Sequence, residues 1–193
     1  MIQKAIHQSI AVKQSMLDNT DLILKIEQAL SICIDTFRSG GKVLLCGNGG
    51  SAADAQHIAA ELSGRFKYDR PPLFSEALHV NSSFVTAVAN DYSFDQIFSR
   101  MTEAMGRKND VLIALSTSGN SINVVNAVLK AQEIGMHTIG LTGEGGGQLK
   151  HLCEILINVP SHDTARIQEA HILIGHILCE SIEQNLFPEQ DGK

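Results

Sequence analysis

Five short apolar runs, most of them separated by helix-like segments, govern what this chain can become. They lie at 42–46, 77–80, 111–115, 138–141 and 155–159. Each has about the length of a buried strand, and helical patterns fill roughly 52–63, 82–89, 93–105, 120–134 and 164–185. Strands alternating with helices call for right-handed crossovers and a parallel sheet covered on both faces. Aromatic residues make up only 5% of the chain and Trp is absent, so the core must be built from Leu, Ile, Val and Ala. We therefore expect an α/β domain with a five-stranded parallel sheet flanked by helices on both faces.

Residues 1–39 precede this pattern and read as two helices. Ile2, Ile6, Ile10 and Val12 fall in the first, and Leu22, Ile26, Leu30 and Cys33 recur at helical spacing in the second. Asn19-Thr20-Asp21 marks the break and offers caps, and Gly40-Gly41 ends the pair. The 193 residues suit one domain, with the helical pair at 1–39 and the α/β core at 40–193.

Several classes fall away on charge and composition. The net charge is −6 and no basic cluster is present, which argues against nucleic-acid binding. No apolar stretch reaches the roughly 18 residues of a membrane span, and the N-terminus lacks an apolar signal core. Together these make the cytoplasm the expected location, with no membrane partner. Cys33, Cys46, Cys153 and Cys179 form no C-x-x-C pair, and Cys46 and Cys153 sit in apolar, strand-like runs. They read as reduced core thiols.

Two strand-to-helix junctions carry the chemistry. Ser116-Thr117-Ser118-Gly119-Asn120-Ser121 sets four hydroxyls and a Gly before a helix starting near Ile122. A phosphate there would accept bonds from the hydroxyls and from free helix N-terminal amides, without any lysine. A turn that merely caps the helix would need one hydroxyl, not four. The other junction, Gly47-Asn48-Gly49-Gly50-Ser51-Ala52, has the outline of a dinucleotide fingerprint. A nicotinamide site expects an acid at the end of the second strand, and Leu78-His79-Val80-Asn81 supplies none. A loop that lets backbone approach a sugar phosphate closely fits better.

Candidate acid–base and metal groups sit on two helices. His57 and Glu61 are four residues apart, on one face of the helix that leaves the first loop. Such a pair is commonly a surface contact, but here its helix starts at the expected ligand edge. The last helix carries Arg166, Gln168, Glu169, His171 and His176 among apolar residues. Gln168 and His176 are eight residues apart, about 12 Å along the axis, so one ion would reach both only with the side chains stretched or with help from another subunit. Spacing does not choose between His171 and His176. Asn90-Asp91 would reach sugar hydroxyls or cap the following helix. His7, His79, His137, His151 and His162 have no evident partners and read as surface or packing residues.

These residues resemble a known family. The match covers nearly the whole chain and is most specific at Cys46-Gly47-Asn48-Gly49-Gly50-Ser51, Asp54-Ala55-Gln56-His57, Glu61-Leu62 with Arg65, Ala89-Asn90-Asp91, the 116–121 loop, and Arg166-Ile167-Gln168-Glu169 with His171. The chain is similar to the sugar-isomerase (SIS) fold, a flavodoxin-like three-layer sandwich, and within it to the phosphoheptose isomerases. The resemblance implies conversion of sedoheptulose 7-phosphate to D-glycero-D-manno-heptose 7-phosphate in lipopolysaccharide heptose (ADP-heptose) biosynthesis. It implies a homotetramer, with the 1–39 helices used in oligomerisation, active sites between subunits and one Zn2+ per site. Carried over, the zinc ligands are His57, Glu61, Gln168 and His176, which settles the histidine question in favour of His176. Substrate contacts fall on Asn48, Gly49, Gly50, Ser51, Glu61, Asn90, Asp91, Ser116, Thr117, Ser118, Ser121 and Gln168. Glu61 and His176 become the acid–base pair. Where many members have Asp just before the Arg of Arg-Ile-Gln-Glu, this chain has Ala165.

A second branch of the same fold binds the initiator of chromosome replication. Its flavour appears in Asn185-Leu186-Phe187-Pro188-Glu189-Gln190, with Leu186 and Phe187 as the contacts to expect. That branch lacks the metal-site Glu and the last His, and this chain has both, so the enzyme reading leads.

Overall fold

The computed structural model describes residues 1–188. Its sheet has five strands, all parallel, in the order β2-β1-β3-β4-β5. They are β1 (Val43–Cys46), β2 (Ser75–Ala77), β3 (Val111–Leu115), β4 (His137–Thr142) and β5 (Ile155–Asn158). Seven α-helices surround it among the described residues: α1 (Ile2–Leu17), α2 (Thr20–Arg38), α3 (Gly50–Ser63), α4 (Ser82–Asp91), α5 (Ile97–Met105), α6 (Ile122–Ile134) and α7 (Thr164–Leu186).

Both faces of the sheet are covered, which is why the central strands read as continuous apolar runs. Successive side chains still alternate between two cores. Val43, Leu45, Val111, Ile113, Leu115, Ile139 and Leu141 face a core shared with α2, α3 and α7. Leu44, Cys46, Leu112 and Ala114 face the core shared with α4, α5 and α6. The helical pair at the N-terminus is joined where expected: Asn19 accepts a bond from the Leu22 amide at 3.1 Å. Gly40 takes the left-handed conformation (φ 76°) just past α2.

Three boundaries differ from the sequence expectation. The second strand is Ser75–Ala77, not 77–80. The Leu78 amide still bonds the Leu45 carbonyl, but Val80 turns back onto Ala77, and among the described residues no further strand beyond β2 rewards extension of this edge. The segment 93–105 is a 3-10 turn (Phe94–Gln96) followed by α5. Cys153 lies outside any strand, just past the short 3-10 helix Gln148–His151. All four cysteines are free, and burial pushes the thiols of Cys33, Cys153 and Cys179 up to about 12 and raises that of Cys46 as well. They are inert core groups.

The chain runs from β1 outward to β2 and then back across β1 to β3. That reversal opens a crevice at the carboxyl ends of β1 and β3, the place where open α/β sheets bind ligands. The two Gly/Ser loops leave those two strand ends.

Candidate active site

The first loop turns sharply into α3. Gly49 sits at φ 56°, ψ −120°, a backbone that favours glycine. Gly50 packs directly against the Gln168 side chain, so a Cβ there would collide with its amide. Ser51 is buried. The second loop is stitched from within: Ser116 Oγ and Ser121 Oγ lie 3.1 Å apart, and Ser118 Oγ accepts from the Asn120 amide at 3.2 Å. Ser121 begins α6 through its carbonyl, while its hydroxyl makes no cap bond. The plain capping role therefore does not account for that hydroxyl.

Behind this loop lies a stretch that sequence reasoning passed over, Gly143-Glu144-Gly145-Gly146-Gly147. Gly119 (φ 68°) meets the Gly146 carbonyl so closely that no side chain would fit. The Gly143 amide donates to Thr117 O at 3.0 Å. Together the two loops and the start of α7 enclose a cleft of about 230 Å³ lined by Thr117, Ser118, Gly143, Ser161, Thr164 and Ile167. An exposed pair, His162 Nε2 and Glu144 at 2.9 Å, involves two more of its lining residues. The run of four glycines in five residues was the legible signal for it.

α3 and α7 pack side by side in the same direction. Gly175 makes this possible, because Ile58 fills the space where a Cβ would be. Cys179 Sγ approaches Ile58 O at 3.9 Å one turn further on. The register brings three side chains together: His57 Nε2 lies 3.1 Å from Glu61 Oε1 and 3.4 Å from His176 Nε2. One ligand atom from each of the three falls within 4.8 Å of the others. Phe66 stacks near the His176 ring with centroids 5.6 Å apart. Asp54, one turn before His57, has one carboxylate oxygen buried without a hydrogen-bond partner; burial raises its pKa, opposed by the charges of His57 and His176.

The lower end of the cluster is braced by Arg70 and Glu183. Arg70 Nη2 holds the Glu61 carbonyl at 2.8 Å, Nη1 holds Leu62 O at 2.8 Å, and Nε meets Glu183 at 2.9 Å. The Glu183 carboxylate also accepts from the amides of Phe66 and Lys67. Burial alone would raise its pKa, but these amides and the Arg70 guanidinium hold it below the usual carboxylate range.

Other expected site residues lie apart from this cluster. Gln168 is at the upper end of the α3–α7 contact, against Gly50, two helical turns from His176. Asn90 and Asp91 close α4 and bond to each other at 2.8 Å. His171 is fully buried, with neither ring nitrogen in a hydrogen bond of good geometry, and burial lowers its pKa to about 4 against a slight opposing influence from the Thr142 backbone. It is a core residue. Asp163, two residues before Ala165, caps α7 by accepting from the Ala165 amide at 2.9 Å. Arg65 is exposed. Of the remaining histidines, His137 pairs with Glu154 at 2.9 Å.

Residues 8–143 match the SIS domain family. The chain is 50% identical over 189 residues to the phosphoheptose isomerase of Clostridium acetobutylicum, covering 98% of this chain and 96% of that one. It belongs to the SIS-domain family, in its phosphoheptose isomerase branch. Among solved structures, the phosphoheptose isomerase of Neisseria gonorrhoeae superposes with a TM-score of 0.89 at 44% identity, over 95% of this chain and 97% of that one. That of Francisella tularensis gives 0.90 at 40%, over 95% and 96%.

This membership disfavours the initiator-binding alternative. Leu186 packs on the core, the Phe187 carbonyl accepts from Tyr68 Oη at 2.7 Å, and the Phe187 ring lies 5.8 Å from the Arg70 guanidinium. Both residues are engaged within the chain. Glu189 and Gln190 of the same stretch lie outside the described residues. Among the described residues no helix is long and apolar enough to cross a membrane.

Proposed function

We propose that this heptose phosphate isomerase interconverts sedoheptulose 7-phosphate and D-glycero-D-manno-heptose 7-phosphate, supplying heptose for lipopolysaccharide in the cytoplasm. The observation that carries the reading is the convergence of His57, Glu61 and His176 two helical turns from paired Gly/Ser loops at the sheet's switch point. That separation suits a ligand whose anionic end and reacting carbons are several bonds apart.

In this reading the 116–121 loop holds the phosphate, with Ser116, Thr117, Ser118 and Ser121 as donors. Asn48, Gly49, Gly50 and Ser51 border the sugar, and Asn90, Asp91 and Gln168 complete the substrate contacts. Binding energy gathered at the phosphate orients carbons 1 and 2. The Glu61 carboxylate takes the carbon-bound proton from one of them and returns it to the other, while His176 exchanges a proton with the neighbouring oxygen.

The donor set also fits a divalent metal. Two imidazole nitrogens and a carboxylate oxygen within 4.8 Å of one another are donors of the kind zinc prefers. Tetrahedral ligands about 2.1 Å from zinc lie about 3.4 Å from one another, close to the two separations measured around His57 Nε2. His57, Glu61 and His176 would hold Zn2+, one per site, and Gln168 would join them only after leaving Gly50. When bound, the ion supplies Lewis-acid polarisation of the substrate's carbonyl. The active unit is a homotetramer assembled in part through the helices of residues 1–39, with each site near a subunit boundary.

The deciding experiment incubates the protein with sedoheptulose 7-phosphate, with and without a chelator, and looks for the aldose heptose phosphate. Product that disappears on chelation and returns with Zn2+ is expected. Absence of product from metal-loaded protein would overturn the activity, and full turnover after metal removal would overturn the role of the ion.

A further inference from the structure

Asn123 lies in the first turn of α6, is 1% exposed, and is followed in the chain by the buried Val124 and Val125. Its side chain forms a reciprocal amide pair with Asn48, 75 residues earlier. Asn48 Nδ2 donates to Asn123 Oδ1 at 2.8 Å, and Asn123 Nδ2 donates to Asn48 Oδ1 at 2.9 Å. Asn123 Oδ1 also accepts from the Val124 amide at 2.9 Å. The pair joins the turn after β1 to the helix that follows the 116–121 loop, across the mouth of the switch-point crevice.

We propose that Asn123 is a positioning residue for the isomerase reaction: through Asn48 it fixes the separation and tilt of the two loops that grip the substrate. A residue chosen for core packing alone would be apolar here, since burying an amide costs free energy unless both its ends are satisfied. A residue chosen to cap α6 would stand at Ser121, not two positions inside the helix. A reciprocal pair needs a donor and an acceptor on each side chain, as an amide supplies, and the Val124 amide on Asn123 Oδ1 fixes which way round the pair is set. The consequence for Asn48 is specific. Its side chain is committed inward to Asn123, so it serves substrate through the backbone of the Asn48-Gly49-Gly50 turn.

This inference rests on the isomerase reading, and the test separates the two. The metal-loaded full chain is compared with Asn123→Asp, Asn123→Ala, Asn48→Ala and the Asn48→Ala/Asn123→Ala double variant. Each is normalised to folded protein by thermal melting, with kcat and KM measured on sedoheptulose 7-phosphate. Asn123→Asp keeps the acceptor and size but turns the donor into a second oxygen facing Asn48. It should lower kcat/KM at least tenfold with a raised KM. If it does not fold, the alanine variants decide. The double variant should lose no more than the worse single, because the two residues act as one device. A folded Asn123 variant within twofold of wild-type kcat/KM, or single losses that multiply in the double, would overturn the proposal. Were the wild type inert toward sedoheptulose 7-phosphate, the isomerase reading would fall, and the same four variants compared on affinity for inorganic phosphate would still decide whether Asn123 organises the loops.

Discussion

At the scale of single residues, the proposed reaction asks most of Glu61. Glu61→Gln keeps the size of the side chain and the Arg70 bond to its carbonyl while removing the basic oxygen. Turnover of sedoheptulose 7-phosphate should fall by roughly 10²–10⁴, with the melting temperature little changed. Activity near wild type would remove Glu61 from the proton transfer. His171 has a different expected signature. Its folded pKa of about 4 lies below the ordinary 6.5, so the folded state resists a proton that the unfolded chain accepts. Stability is then complete above the ordinary histidine range and declines as pH falls from about 6.5 toward 4, by roughly 3 kcal/mol at the lower end. Denaturant melts across that window should show the decline, and His171→Leu should flatten it.

At the scale of elements, the α3–α7 contact sets the site, and its lower end depends on one buried ion pair. Glu183→Ala leaves Arg70 buried without its carboxylate, a loss of about 3–5 kcal/mol, readable as a lower denaturant midpoint. The Glu183 pKa is held low in the folded state, so its contribution is present above the ordinary carboxylate range and fades as pH falls through the folded value. Gly119→Ala combines an unfavourable φ with a collision against the Gly146 carbonyl, which should cost upwards of about 2 kcal/mol and loosen the 116–121 loop.

The same scale shows what the sequence made legible. The central strands were readable because strands buried on both faces become plain apolar runs. β2 was misplaced because Leu78 and Val80 are apolar for reasons other than pairing: Leu78 fills the core and Val80 lies in a turn. His57 and Glu61 declared themselves through i, i+4 spacing. Spacing leaves His171 and His176 open and the family resemblance picks His176; the structural reason is how α7 lies against α3, which periodicity does not encode. Asn123 was invisible for a related reason, since nothing local marks a partner 75 residues away.

For the whole molecule, α1 is the conspicuous element. Ile2, Ile6, Ile10 and Leu17 are exposed on it, although Arg166 Nη1 anchors the helix to α7 through Ala5 O at 2.6 Å. Exposed apolar groups repeated along one helix suit burial against another copy of the chain. The proposed tetramer should therefore appear in light scattering, and Ile6→Asp with Ile10→Asp should shift it toward smaller species. An unchanged mass would take these residues out of the assembly.

His57, Glu61 and His176 all come from one polypeptide, on two helices already packed together before any neighbour arrives. On the proposed reading, ion capture and quaternary association are therefore separable events. Equilibrium dialysis of zinc against a dissociated Ile6→Asp/Ile10→Asp protomer should give nearly the wild-type affinity even where catalysis has been lost, and dilution of the native protein should silence turnover before it releases the ion.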